Sequence, residues 1–125
     1  VSQYNVDTTY LMLKEAVLSS ENWTLIDELD NAERYKPYGD IGEYKILLVC
    51  APETAVRILK EDETKFMGGM IPLKVCIYNT SSGETMISLM NTGMMGKMFD
   101  DPLVKEKVIA ASAEMEQMIK TLLVK

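Results

Sequence analysis

Two residue types in this chain could do chemistry: the thiols of Cys50 and Cys76, and the thioethers of ten methionines. Histidine is absent. Its absence removes imidazole general bases, Ser-His-Asp and Cys-His nucleophiles, and ordinary histidine metal sites. Proton chemistry would fall to carboxylates, Lys, Tyr or Cys. Cys50 ends the apolar run Tyr44–Cys50 and stands just before Pro52, where a helix is expected to open. The free N–H groups and dipole of a helix start stabilise a thiolate. Cys50 is therefore a candidate reactive or ligand-binding thiol; packed as a small hydrophobe it would be inert. Cys76, between Val75 and Ile77, is expected in the core. It could serve Cys50 as a disulfide or resolving partner only with Cα atoms within about 7 Å.

Met90, Met94, Met95 and Met98 crowd into one stretch with Gly93 and Gly96 between them, and Met67, Met70 and Met86 lie near in sequence. Thioethers suit Cu(I) and can serve as axial haem ligands, so a coiled loop could gather the sulfurs of Met90, Met94, Met95 and Met98 as ligands. Unbranched and polarizable, the same side chains could line an adaptable apolar pocket, or fill the core or a dimer contact. Tyr35, Tyr38 and Tyr44 surround a Pro/Gly loop with Arg34 and Lys36. They could rim a pocket or simply pack at the surface. Asp27, Glu28, Asp30 and Glu33 read as a solvated strand end, because acid–base catalysis needs two carboxylates in different environments at a defined separation. Asp100 and Asp101 read as helix caps.

These side chains need a scaffold, and 125 residues suit a single domain over 1–125. Apolar residues make up 47% and charged ones 26%, ordinary for a packed core. The net charge of −6 opposes nucleic-acid binding unless a basic patch offsets it, and Glu106 interrupts the nearest one, Lys105–Lys107. No apolar run approaches the ~18 residues a membrane span requires. The sequence starts at Val1 without an initiator Met, so either a cut or a removed leader is expected. Two cysteines are too few for a disulfide scaffold, and a cytoplasmic protein is the expectation.

Along the chain, Ser2–Val6 reads as a short first strand and Thr8–Ser20 as an amphipathic helix capped by Asp7, Thr8 or Thr9. Trp23–Leu29 alternates as a strand. Asn31–Gly42 is a loop with room for one helical turn. Tyr44–Cys50 reads as a strand covered on both faces, and Pro52 opens a short helix to about Glu61. After a glycine-ended connection, Ile71–Tyr78 and Glu84–Met90 form a hairpin across a five-residue loop. Val104, Val108, Ala111, Met115, Met118 and Leu122 trace the apolar stripe of a final helix reaching about Leu123. The order β-α-β-β-α-β-β-α gives an α+β fold: a mostly antiparallel sheet with two long helices on one face.

At Tyr44–Ala55 the string Tyr-Lys-Ile-Leu-Leu-Val-Cys-Ala-Pro-Glu-Thr-Ala, followed by Met70-Ile71-Pro72 before a hairpin, resembles the family known as domain of unknown function 302. The Cys-x-Pro-x-x-Ala step is its most specific element, and the match runs through most of the chain in order. The resemblance implies a TATA-box-binding-protein-like α+β fold, often a homodimer, and supplies no catalytic residues. The family places a second cysteine directly after the proline that opens the next strand; here that position is Leu73.

Methionine density, glycine hinges and the lack of catalytic groups point to a non-enzymatic, homodimeric binding domain. It would hold a small apolar molecule, haem or Cu(I) between the sheet and the Met90–Met98 loop, with Cys50 nearby. The alternatives are a thiol redox or sulfur-handling protein built on Cys50, and a purely structural dimerisation module.

Overall fold

The computed structural model describes residues 1–89 and 102–124. Helix α1 (Val6–Ser19) starts earlier than expected, because the Asn5 side chain accepts the Thr8 N–H at 2.8 Å and caps it. That cap leaves no room for a strand over Ser2–Val6. The expected first strand shrinks to Ser2, which bridges Thr85 on one side and Leu123 on the other. Its hydroxyl shares a 2.7 Å hydrogen bond with Thr9, tying the N-terminal segment to α1.

Strand β1 (Thr24–Asp30) leads directly into the single helical turn α2 (Asn31–Tyr35), capped by the Asp30 side chain. Strand β2 (Tyr44–Cys50) follows, then α3 (Pro52–Leu59) with proline in its first turn. A 3-10 segment (Lys65–Met70) replaces the plain connection expected there. Strands β3 (Leu73–Asn79) and β4 (Thr85–Leu89) form the hairpin, and α4 (Pro102–Lys120) completes the chain. Asp100 and Asp101, expected as caps of α4, lie outside the described residues.

The four strands pair antiparallel in the order β1-β2-β3-β4. One face carries Leu47, Val49, Val75 and Ile77, which share a buried cluster with Val6, Leu13 and Val17 of α1 and Met115 of α4. Both long helices thus lie on this face, as an α+β layering requires. A smaller cluster joins Ile58 of α3 to Met67, Val104 and Val108. The register puts Tyr44, Ile46 and Leu48 of β2 on the opposite face, next to Tyr78, Cys76 and Lys74 of β3.

Strand β1 contains a bulge. Leu25 pairs with Val49, but the next pairing joins Asp27 to Leu48, leaving Ile26 as the extra residue. A strand alternates faces with period two, so one inserted residue swaps the facing of everything after it. Beyond the bulge Glu28 therefore pairs with Leu47 on the helix side. There it accepts a hydrogen bond from the Tyr10 hydroxyl and pairs with Lys14 at 2.9 Å. Glu28 stays solvent-exposed, as expected of this strand end, and its contacts with Tyr10 and Lys14 are what a linear reading does not show. Lys45 joins the cluster, 4.8 Å above the Tyr10 ring and 2.9 Å from Asp7. The Tyr10 and Lys14 contacts hold the Glu28 carboxyl below its usual range, and burial with Glu28 alongside pushes the Tyr10 hydroxyl up.

Candidate functional site

The junction where β2 becomes α3 builds a cavity. β2 is apolar through Val49, so its end is buried, and Pro52 forces the chain into a helix two residues after Cys50. Helix α3 is amphipathic and turns Ala55 and Ile58 inward. Opposite, α4 presents Val108 and Ala111, with Ser112 one turn on from Val108. Its position is pinned by the Trp23 indole N–H, which donates to the Ala111 carbonyl at 3.1 Å. Met70 and Leu73 close the far side. The cavity opens to solvent on one side and its volume is about 70 Å³, room for roughly five water-sized groups. Among the described lining residues Thr54 and Ser112 supply the hydroxyls, and the Ser112 hydroxyl donates to the Val108 carbonyl of its own helix at 2.8 Å.

Cys50 is among the lining residues and is half-buried, and burial pushes its thiol pKa up. Desolvation disfavours the anion and here outweighs the nearby helix start, at which Ala51 provides no side-chain cap. The thiol at this junction is thus neutral and poorly suited to nucleophilic attack. Cys76 is not its partner. Cys76 pairs with Ile46, four residues before Cys50 on β2, and four residues of strand span roughly 13 Å. A disulfide needs Cα atoms within about 7 Å, and both cysteines are free. Cys76 instead hydrogen-bonds with Tyr44, whose hydroxyl is pushed up to about 12 by that bond and by burial.

Of the methionines singled out, Met90, Met94, Met95 and Met98 lie outside the described residues. Met67 is buried with Ile58, Val104 and Val108, and Met70 lines the cavity. Among the described residues no group of His, Cys, Asp and Glu side chains could hold a metal ion. The expected tyrosine rim divides: Tyr44 stacks on Tyr78 with ring centroids 5.1 Å apart and planes 7° from parallel, while Tyr38 is 89% exposed.

Beside the cavity, and sharing Ala51, Thr54 and Ala111 with it, runs a more polar groove of about 350 Å³. Glu114 forms one wall and accepts from the Ser20 hydroxyl at 2.7 Å and the Asn22 amide at 3.0 Å. Lys107 and Glu53 face each other at 3.8 Å on the other.

The roles of Trp23, Ala55, Ile58 and Ala111 in the cavity escape a linear reading, since three separate segments, the approach to β1, α3 and α4, bring them together. The single tryptophan, placed just before a strand, was the one available signal, because a buried indole needs an acceptor.

A two-layer α+β domain with one helix-covered sheet and an apolar cavity at a strand–helix junction is the class these features define. Within it, the chain belongs to the family described as domain of unknown function DUF302, which it matches over residues 1–122. Among solved structures it is similar to an uncharacterized conserved DUF302 protein from Bacillus stearothermophilus, at 22% sequence identity and a TM-score of 0.77. That similarity covers 97% of this chain and 93% of the other, and at this identity it speaks for the fold. No curated protein matches the chain. No helix among the described residues is long and apolar enough to cross a membrane.

Proposed function

We propose that this single-domain chain is a non-catalytic binding protein. It works as a homodimer and takes a small apolar molecule, or the apolar end of a larger one, into the cavity beside Cys50. The observation that carries this reading is the cavity itself. About 70 Å³ stands open among apolar side chains where β2 meets α3, and apolar concavities of this kind are where small molecules bind. The stretch holding Met90, Met94, Met95 and Met98 runs from β4 to α4, the helix that supplies Val108 and Ala111, and would serve as an adaptable lip. Haem or Cu(I) would rest on those four sulfurs, not on the cavity, whose volume is far below the ~300 Å³ of a typical cofactor pocket. A thiol-based role for Cys50 is the weaker reading, because its thiol is held neutral. Two free thiols suit a reducing compartment such as the cytoplasm.

Trp23 is the only tryptophan and lines the cavity, so its fluorescence reports occupancy. Titration with 1-butanol, whose heavy-atom count matches the space, should shift Trp23 emission saturably, and Ala111→Phe should abolish the response. No saturable shift in the wild-type protein, or an equal one in Ala111→Phe, would refute the assignment. Native mass spectrometry of untagged protein tests for a retained ligand and for the dimer together.

A further inference from the structure

The second sheet face poses its own question, because α1 and α4 both pack on the first. Its strand register forms four rows, the outermost being Thr24 and Cys50. Asp27, Leu48 and Lys74 lie side by side; next come Leu29, Ile46, Cys76 and Ser88; then Tyr44, Tyr78 and Met86. Ile46, at the centre, is only 6% exposed. Among the described residues of these rows the charges are Asp27 and Lys74, in one row and on opposite sides of Leu48. An apolar sheet face of this kind is usually covered by a second layer.

We propose that this face docks a second copy of the chain, sheet against sheet, about a two-fold axis running along β2. The proposal rests on the homodimer inferred above and adds its surface and geometry. Charge complementarity selects the axis. Rotation about a line along β2 exchanges the β1 and β3 positions within a row, so Asp27 of each copy comes to lie over the partner's Lys74. Sheets pack about 10 Å apart, a gap a lysine side chain and a carboxylate bridge between them. The same rotation sets Leu48 on the partner's Leu48 and Ile46 on the partner's Ile46, a dry centre with the charges at its sides. A two-fold axis across the strands would instead turn the Asp27–Lys74 row onto the tyrosine row and leave both charges unpaired. Such a mating is isologous, as closed dimers require.

Sedimentation equilibrium on the wild-type, Leu48→Asp, Lys74→Asp and Asp27→Lys chains, and on the Asp27→Lys/Lys74→Asp double variant, tests this. Circular dichroism confirms that each variant folds. Lys74→Asp sets two carboxylates against each other and Asp27→Lys two ammonium groups. Each should weaken pairing about tenfold, and the double variant should recover most of the loss. Leu48→Asp should weaken pairing about 100-fold or more. If folded variants pair as tightly as wild type, the face assignment is overturned while the homodimer reading stands. A wild-type chain still monomeric at 100 μM protein overturns both.

Discussion

Ile58→Ala is the sharpest probe of the cavity. Ile58 is 3% exposed, packs with Met67, Val104 and Val108, and also lines the cavity. The substitution removes three carbons, worth about 2.4 kcal/mol of transfer free energy at ~0.8 kcal/mol each. The space they leave merges with the existing void. If roughly 50 Å³ of it stays open, ~24 cal/mol per Å³ adds about 1.2 kcal/mol. The expected loss is about 3.5 kcal/mol. In urea, followed by Trp23 fluorescence, this appears as a midpoint lower by roughly 1.8 M at an unchanged slope of ~2 kcal/mol/M. The enlarged cavity is apolar and should accept benzene, which then raises the variant's midpoint and not the wild type's. A loss below about 1 kcal/mol at unchanged slope would refute the packing at the α3–α4 contact. A full loss without any response to benzene would mean that the neighbouring side chains collapse into the space.

Three further outcomes follow from other parts of the molecule. Glu28 has its pKa lowered by folding, so its contribution is present above the ordinary carboxylate range and fades as pH falls through the lowered value. Glu28→Gln should therefore cost at most about 1 kcal/mol at pH 7, given its solvent exposure, and the gap from wild type should close in acid denaturation. Gly42 has φ of +77°, and a Cβ there would stand 2.7 Å from the Asn79 side-chain oxygen, which accepts the Glu43 N–H. Gly42→Ala should lower stability by about 1–3 kcal/mol, and Asn79→Ala in the same chain should relieve the clash but not the backbone strain. With its thiol pushed up by burial, Cys50 should react with a maleimide more slowly than free cysteine at pH 7. Mild oxidation should leave no Cys50–Cys76 bridge detectable by mass spectrometry; a bridge would count against the register of β2 and β3, and fast labelling against the burial of Cys50.

Much of the fold was legible because its signals are local. The apolar run Tyr44–Cys50 is β2 residue for residue, Pro52 does open α3, and the hairpin strands fall within two residues of their expected starts. What misled was non-local or depended on one side chain. Ser2–Val6 alternates as a strand does, but Asn5 caps a helix, and one good cap settles a short segment. The bulge at Ile26 leaves no mark in β1, because it exists only in the pairing with β2. The turn of Glu28 toward α1, where it meets Tyr10 and Lys14, was consequently not visible. The cavity was hidden for a similar reason: Trp23, Ala55 and Ala111 are unremarkable one at a time and converge only when α3 and α4 pack together. The emphasis on Met90–Met98 came from composition, a signal that carries no position.

The bulge has a second consequence, at the rim of the sheet. β1 is an edge strand, and a regular edge presents a row of unpaired backbone groups on which a strand from another molecule can polymerise. In β1 that row is broken at Ile26 and flanked by Asp27, Glu28 and Asp30, so an incoming strand would meet a kink in the hydrogen-bond ladder and a line of carboxylates. The residue that turns Glu28 toward α1 therefore also protects the chain against fibrillar growth from this side.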